Sequence, residues 1–173
     1  GGRQHPAGDG ALAMHDPVTN LANRTKLVFL LHDALSNLQD GESLALHYID
    51  LDSFKPINDN HGHDVGDAIL KSVADRLLTC VRDTGCVARI GGDEFVIVQR
   101  GIRSAQDAEI VANRIIKAVK RSHDLSEGPF TIGASVGVSM ARVLTSRFAR
   151  PMPCSPDSVP PRDSVKADTC ASA

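Results

Sequence analysis

Two carboxylates stand side by side at Asp93 and Glu94, directly after Gly91 and Gly92, in the stretch ARIGGDEFVIVQ at 88–99. A buried strand has no use for adjacent acids, while backbone without side chains lets a bulky anionic ligand come close. A phosphate accompanied by a metal ion suits such a place. A second pair, Asp50 and Asp52, closes the run SLALHYIDLD. Two residues apart on an extended chain, they share one face. Carboxylates hold Mg²⁺ when triphosphate oxygens complete its octahedron, and the ion offsets the charge that phosphoryl transfer concentrates. Acids at strand ends also cap turns or simply face solvent, so neither pair decides the matter alone.

The loop that follows, FKPINDNHGHDVGD, adds neutral, cationic and anionic groups within a few residues. Lys55 sits close behind the strand, where its charge can meet phosphate oxygens. Asn58, His63 and Asp67 supply hydrogen-bonding groups for a base pocket. A carboxylate such as Asp67 accepts from guanine N1–H and its exocyclic amine, whereas adenine has no N1 proton, so the acid selects guanine. Taken singly, His63 reads as a surface or helix-capping histidine; the grouping is what points to a nucleotide.

These residues need elements to hold them. NRTKLVFLLHDALSNL, from Asn23, repeats apolar residues at helical spacing and stops near Gly41. SLALHYIDLD alternates as a strand that ends at Asp52. After the loop, Ile69, Val73, Leu77 and Val81 are four apart, as on an amphipathic helix. CVARI and DEFVIVQ read as two strands around the Gly91–Gly92 turn, followed by a helix over 105–120 and a strand in FTIGASVGVSM. The order β-α-β-β-α-β is the ferredoxin-like split arrangement of an α+β fold: an antiparallel sheet with helices on one face, preceded here by an extra helix. In that topology the first strand lies beside the central hairpin, so acids from two strands converge.

Length and charge bound the rest. The 173 residues, 42% hydrophobic and 23% charged, suit one globular domain. A net charge of -2 argues against a bulk nucleic-acid or membrane-surface binder, though a local basic site can still hold phosphates. No apolar run is long enough to span a bilayer, and the four cysteines show no metal spacing, so a reduced, cytoplasmic setting is expected. Residues 1–13 read as a Gly-rich linker and 14–140 as the domain. Residues 141–173 read as a disordered or aberrant tail, with five of the nine prolines between 151 and 161.

DPVTNLANR, IDLDSFKPINDNHGHDVGD and ARIGGDEF, in that order, resemble the hallmark segments of the GGDEF family of bacterial diguanylate cyclases, over Asp16 to about Val138. The resemblance implies a nucleotidyl cyclase-like fold. It implies condensation of two GTP into cyclic di-GMP and pyrophosphate with Mg²⁺ or Mn²⁺, each domain of a homodimer presenting one GTP. It also implies roles for single residues. Asp50 and Asp93 would bind the metal through carboxylates and Leu51 through its carbonyl. Ser53 and Phe54 would offer backbone N–H groups to phosphate, and Lys55 would stabilise the transition state. Asn58, His63 and Asp67 would hold the nucleoside, Asp93 would accept the proton, with Glu94 its acidic neighbour, and Gly91 and Gly92 would make room for GTP.

Two departures stand against that pattern. Product-inhibited members carry an RxxD motif, where this chain has Arg82 but Gly85 in place of the acid; the inhibitory site is expected not to work. After SVGV the family continues into a segment resembling ADxALYxAK and then GRN, whose basic side chains help hold the triphosphate, and nothing from Ala141 onward matches. A frameshift, truncation or engineered end is expected there. The alternative to an active cyclase is a GTP-binding module that regulates a fused or partner phosphodiesterase in a longer parent, for which fused sensory domains or a membrane tether are the expectation.

Overall fold

The computed structural model describes residues 13–81 and 85–142. The expected linker up to residue 12, Arg82 and the expected tail from 143 onward lie outside the described residues. Helix α1, Arg24–Ser36, begins where the Asn23 side chain accepts the Lys26 N–H at 3.0 Å, a cap that satisfies an otherwise unpaired donor. Strand β1, Ser43–Asp52, runs through the middle of the molecule. Helices α2, Phe54–His61, and α3, His63–Val81, follow. Strands β2, Gly85–Gly91, and β3, Glu94–Ile102, form the hairpin. Helix α4, Ala105–Val119, opens on a capping box between Ser104 and Asp107. Short strands β4, His123–Leu125, and β5, Gly128–Phe130, precede β6, Gly133–Arg142.

The four long strands make one antiparallel sheet in the order β2-β3-β1-β6. With α3 and α4 as connections, this is the ferredoxin-like order expected from the sequence. Ile69, Val73 and Leu77 of α3, Ile115 and Val119 of α4, and Ile49, Leu51 and Phe95 of the sheet form the main core. Each such side chain, fully buried, contributes roughly 1.5–3 kcal/mol. The extra helix α1 packs on the other side, where Leu27 and Ala34 meet Leu44, Val96 and Val98. Both faces of the inner strands are therefore covered, except near the end of β1, where Asp50 and Asp52 are exposed.

Three details differ from the sequence reading. The stretch after Asp52 is not a loop but the helix α2, because buried Phe54 anchors its first turn and Gly62, at φ 86°, ends it. The β4–β5 hairpin was not foreseen; its three-residue strands are too short for alternation to register, and Phe130 falls in β5 rather than in the last long strand. Strand β6 continues to Arg142, so Ala141 and Arg142, expected to start the tail, pair with Leu44 and Ser43.

Candidate functional site

Alternation along β1 turns Leu51 into the core, 1% exposed, and leaves Asp50 and Asp52 on the opposite face. Asp50 stands directly across from Glu94 on β3 and from Ser135 on β6. Antiparallel partners share a face, so Asp50 and Glu94 project to the same side. The hairpin turns at Gly92, whose φ of 43° falls in the left-handed region that glycine adopts freely. The turn is tied to β1 by the Leu51 N–H, which donates to the Asp93 carbonyl at 3.3 Å. The expected convergence of acids from two strands is therefore present.

The acids differ in their partners. Asp52 accepts from the Ser135 hydroxyl at 2.9 Å. Its other oxygen lies 2.5 Å from where a Cβ on Gly133 would stand, so that glycine gives the carboxylate its space. Glu94 accepts from the Tyr48 hydroxyl. The side chains of Asp50 and Asp93 have no hydrogen-bond partner among the described residues. Desolvation first, then the charges of Asp93, Glu94 and Asp52, push the Asp50 carboxyl above its ordinary value. Hydrogen bonding to Glu94 first, then desolvation and the charges of Glu94 and Asp50, does the same to the Tyr48 phenol. This corner is held together against its own repulsion, the condition in which a cation binds well.

Among the described residues, no three His, Cys, Asp or Glu side chains are grouped to hold a metal ion by themselves. Two carboxylates and a main-chain oxygen are what Mg²⁺ takes when water and phosphate oxygens supply the rest. Asp50, Asp93 and the Leu51 backbone are donors of that kind, and Asp50 stands across from Glu94 with the Asp93 turn tied to β1 beside it.

Beside the acids, Ser53 takes the left-handed conformation at φ 61° and reverses the chain directly into α2. The first N–H groups of a helix lack intrahelical acceptors, and here no acidic side chain occupies the first turn. The backbone at Ser53 and Phe54 thus offers donors to an anion. Lys55, in the same turn, is exposed and makes no hydrogen bond or ion pair among the described residues. A cavity of about 360 Å³ opens beside Asp52 and Ser53, walled also by Ile57, His61, Ile132 and Gly133.

Asn58 of α2 lies against α3. Its Oδ1 is 1.8 Å from the Cβ position of Gly66, so the glycine leaves room for the Asn58 amide where it lies. Asp67, the next residue, is half-buried; His63, at the start of α3, is exposed and has no hydrogen bond among the described residues. Asn58 lies at Gly66, the residue before Asp67, while His63 opens α3 exposed and two residues after α2 ends.

The sequence reading passed over a brace behind the turn. Arg89 donates through Nε and Nη2 to the Gly92 carbonyl at 3.0 and 2.7 Å, and through Nη1 to both Asp16 oxygens at 3.1 and 3.0 Å. Asp16 also accepts the Thr19 N–H and hydroxyl, both at 2.8 Å. Burial works to raise the Asp16 pKa, yet the Thr19 bonds and Arg89 together hold it below the ordinary value. The DPVT spacing signals the Asp16–Thr19 turn; nothing local signals Arg89. Cys80 is buried and Cys86 half-buried, both free thiols whose pKa burial raises. No helix among the described residues is long and apolar enough to cross a membrane.

The family model described as "Diguanylate cyclase, GGDEF domain" matches residues 13–152. The chain is similar to the bifunctional diguanylate cyclase/cyclic di-GMP phosphodiesterase MucR of Pseudomonas aeruginosa, at 37% identity over 130 residues, 75% of this chain and 19% of MucR. It therefore spans about a fifth of that relative's length. Among solved structures it resembles diguanylate cyclase SiaD of P. aeruginosa, in complex with its activator SiaC, at a TM-score of 0.69 and 33% identity over 76% of this chain and 51% of that one. It also resembles the GGDEF domain of DgcB from Caulobacter crescentus in complex with c-di-GMP, at a TM-score of 0.69 and 27% identity over 75% and 78%.

Proposed function

Since the chain belongs to the GGDEF family of diguanylate cyclases, we propose that it condenses two GTP into cyclic di-GMP and pyrophosphate, as one half of a homodimer and with Mg²⁺ or Mn²⁺. The observation that carries this reading is the pairing of the Asp50 strand end with the Asp93 turn, both carboxylates left without a hydrogen-bond partner beside the open start of α2. In this reading Asp50, Asp93 and the Leu51 carbonyl would hold the ion, which would supply stabilisation of negative charge on the phosphates. The Ser53 and Phe54 N–H groups and Lys55 bind the remaining phosphate oxygens. Asn58, His63 and Asp67 take the guanine end. Asp93 accepts the proton as the 3′-hydroxyl of one GTP attacks the α-phosphorus of the other, and pyrophosphate departs. Two facing domains supply the orientation that no single site can.

The test is incubation of the chain with GTP and Mg²⁺. Cyclic di-GMP and pyrophosphate in a one-to-two ratio support the cyclase, and their absence at high protein concentration sinks it. The relative MucR, named a bifunctional diguanylate cyclase/cyclic di-GMP phosphodiesterase and matched by this chain over only 19% of its length, favours a second reading, a GTP-binding module regulating a phosphodiesterase in a longer parent. GTP binding without turnover would favour that reading.

A further inference from the structure

Tyr48 belongs to no motif noted in the sequence, yet its hydroxyl donates to Oε1 of Glu94 across the sheet. On β1 it shares the face of Asp50 and Asp52, and it stands two residues back from Asp50, toward the middle of the strand. One oxygen of Glu94 is thus drawn inward along the sheet, away from the turn that carries Asp93. The other lies 4.0 Å from the Cβ position of Gly91 and has no partner among the described residues.

We propose that Tyr48 is a positioning residue that holds Glu94 back from the cation, so that the ion meets two carboxylates, Asp50 and Asp93, instead of three. The proposal rests on the cyclase reading of the acid corner. Charge gives the reason. Two carboxylates balance a divalent ion and leave it free to attract a triphosphate, whereas a third makes the site net negative and repels that polyanion. A phenol restrains the third acid with a neutral donor, without adding a cation that would compete for the other two. The lack of any three-acid grouping among the described residues agrees with this arrangement.

The chain has one tyrosine and no tryptophan, so its near-ultraviolet emission reports Tyr48 alone. A phenol bonded to a carboxylate is quenched, and Glu94→Gln should brighten that emission without metal or nucleotide. Tyr48→Phe frees Glu94, so Mn²⁺ alone, followed by electron paramagnetic resonance, should bind about three- to tenfold tighter, the scale of one hydrogen bond to a charged group. The KM for GTP with Mg²⁺ should rise by a similar factor. The double variant Tyr48→Phe/Glu94→Gln should return Mn²⁺ affinity to the starting value. Unchanged emission in Glu94→Gln, or Mn²⁺ affinity that is equal or weaker in Tyr48→Phe, overturns the proposal, since a merely structural tyrosine gives that result. A chain that binds no Mn²⁺ overturns the proposal and the metal reading together. The emission and Mn²⁺ measurements need no turnover, so a chain that binds Mn²⁺ but forms no product defeats the cyclase reading while they still decide the role of Tyr48.

Discussion

Near the end of α4, one guanidinium, that of Arg76, donates to the carbonyls of Ala118, Arg121 and Ser122, while Arg114 returns a bond to Cys80 at the end of α3. At the acid corner, the carboxylates of Asp50 and Asp93 receive no hydrogen bond among the described residues. In the first region charge meets the unpaired carbonyls at a helix end, where a cation is stabilising. In the second, acids crowd one another, and the charges that act on Asp50 are all of its own sign. The same contrast separates two aspartates on the two sides of the hairpin: Asp16, braced by Arg89, has its pKa lowered, and Asp50, beside its acidic neighbours, has its pKa raised. Groups that build the fold are matched within it, and groups left unmatched point to something the fold must bind.

The sharpest way to break this contrast is to neutralise each side in turn. Asp50→Asn or Asp93→Asn should cut cyclic di-GMP formation at least a hundredfold, the scale of losing one charge-stabilising group at a reacting phosphate. For Asp50→Asn, melting temperature should hold or rise. A carboxyl whose folded pKa is raised favours folding below its ordinary pKa and loses that contribution as pH climbs, so removing its charge costs nothing at neutral pH. A variant that loses stability in step with activity would place Asp50 among the structural charges instead.

Asp16→Asn should behave in the opposite way. Its ion pair with Arg89 has side chains only 15% and 11% exposed, and breaking it should cost about 2–3 kcal/mol in urea unfolding. Because the folded pKa lies below the ordinary 3.8, this contribution is present above that pH and lost as pH falls through the folded value. The stability gap between the two proteins should therefore close in acid, and a gap that is constant from pH 7 to pH 2 would refute the brace.

Gly85→Asp restores on paper the acid that the family's inhibitory motif carries. A Cβ there meets the Val98 carbonyl at 2.2 Å and Val81 at 2.6 Å, so the backbone must shift. The variant should lose about 1–3 kcal/mol, as overpacked sites do, and gain no inhibition by cyclic di-GMP. Strong inhibition with unchanged stability would show that the position has room after all. The smallest effect is expected at the helix junction: Asp67→Ala should weaken GTP about tenfold, the scale of one hydrogen bond to a charged group, and leave ATP nearly unchanged. Calorimetry showing equal losses for both nucleotides would remove Asp67 from the base pocket.

Much of this was legible before any coordinates. Period-two alternation put Asp50 and Asp52 on one face, the glycine pair located the hairpin, and the order of elements gave a sheet in which β1 neighbours β3. These are local signals, set by the two-residue repeat of a strand and by the φ freedom of glycine. Helix α2 escaped notice because its eight residues are mostly polar and its start depends on Ser53 in a left-handed conformation, with Phe54 finding a core to enter.

Only the tertiary structure decided which distant residues would touch. Arg89 reaches Asp16 across 73 residues, Tyr48 reaches Glu94 across 46, and Ser135 reaches Asp52 across 83. No spacing rule can pair them, because each contact depends on strand order, register and the direction a side chain takes once its neighbours are packed. Composition and periodicity settled which acids would gather at the strand end. The assembled sheet settled which of them are restrained by partners and which two are left without one, since that depends on what the rest of the chain brings alongside.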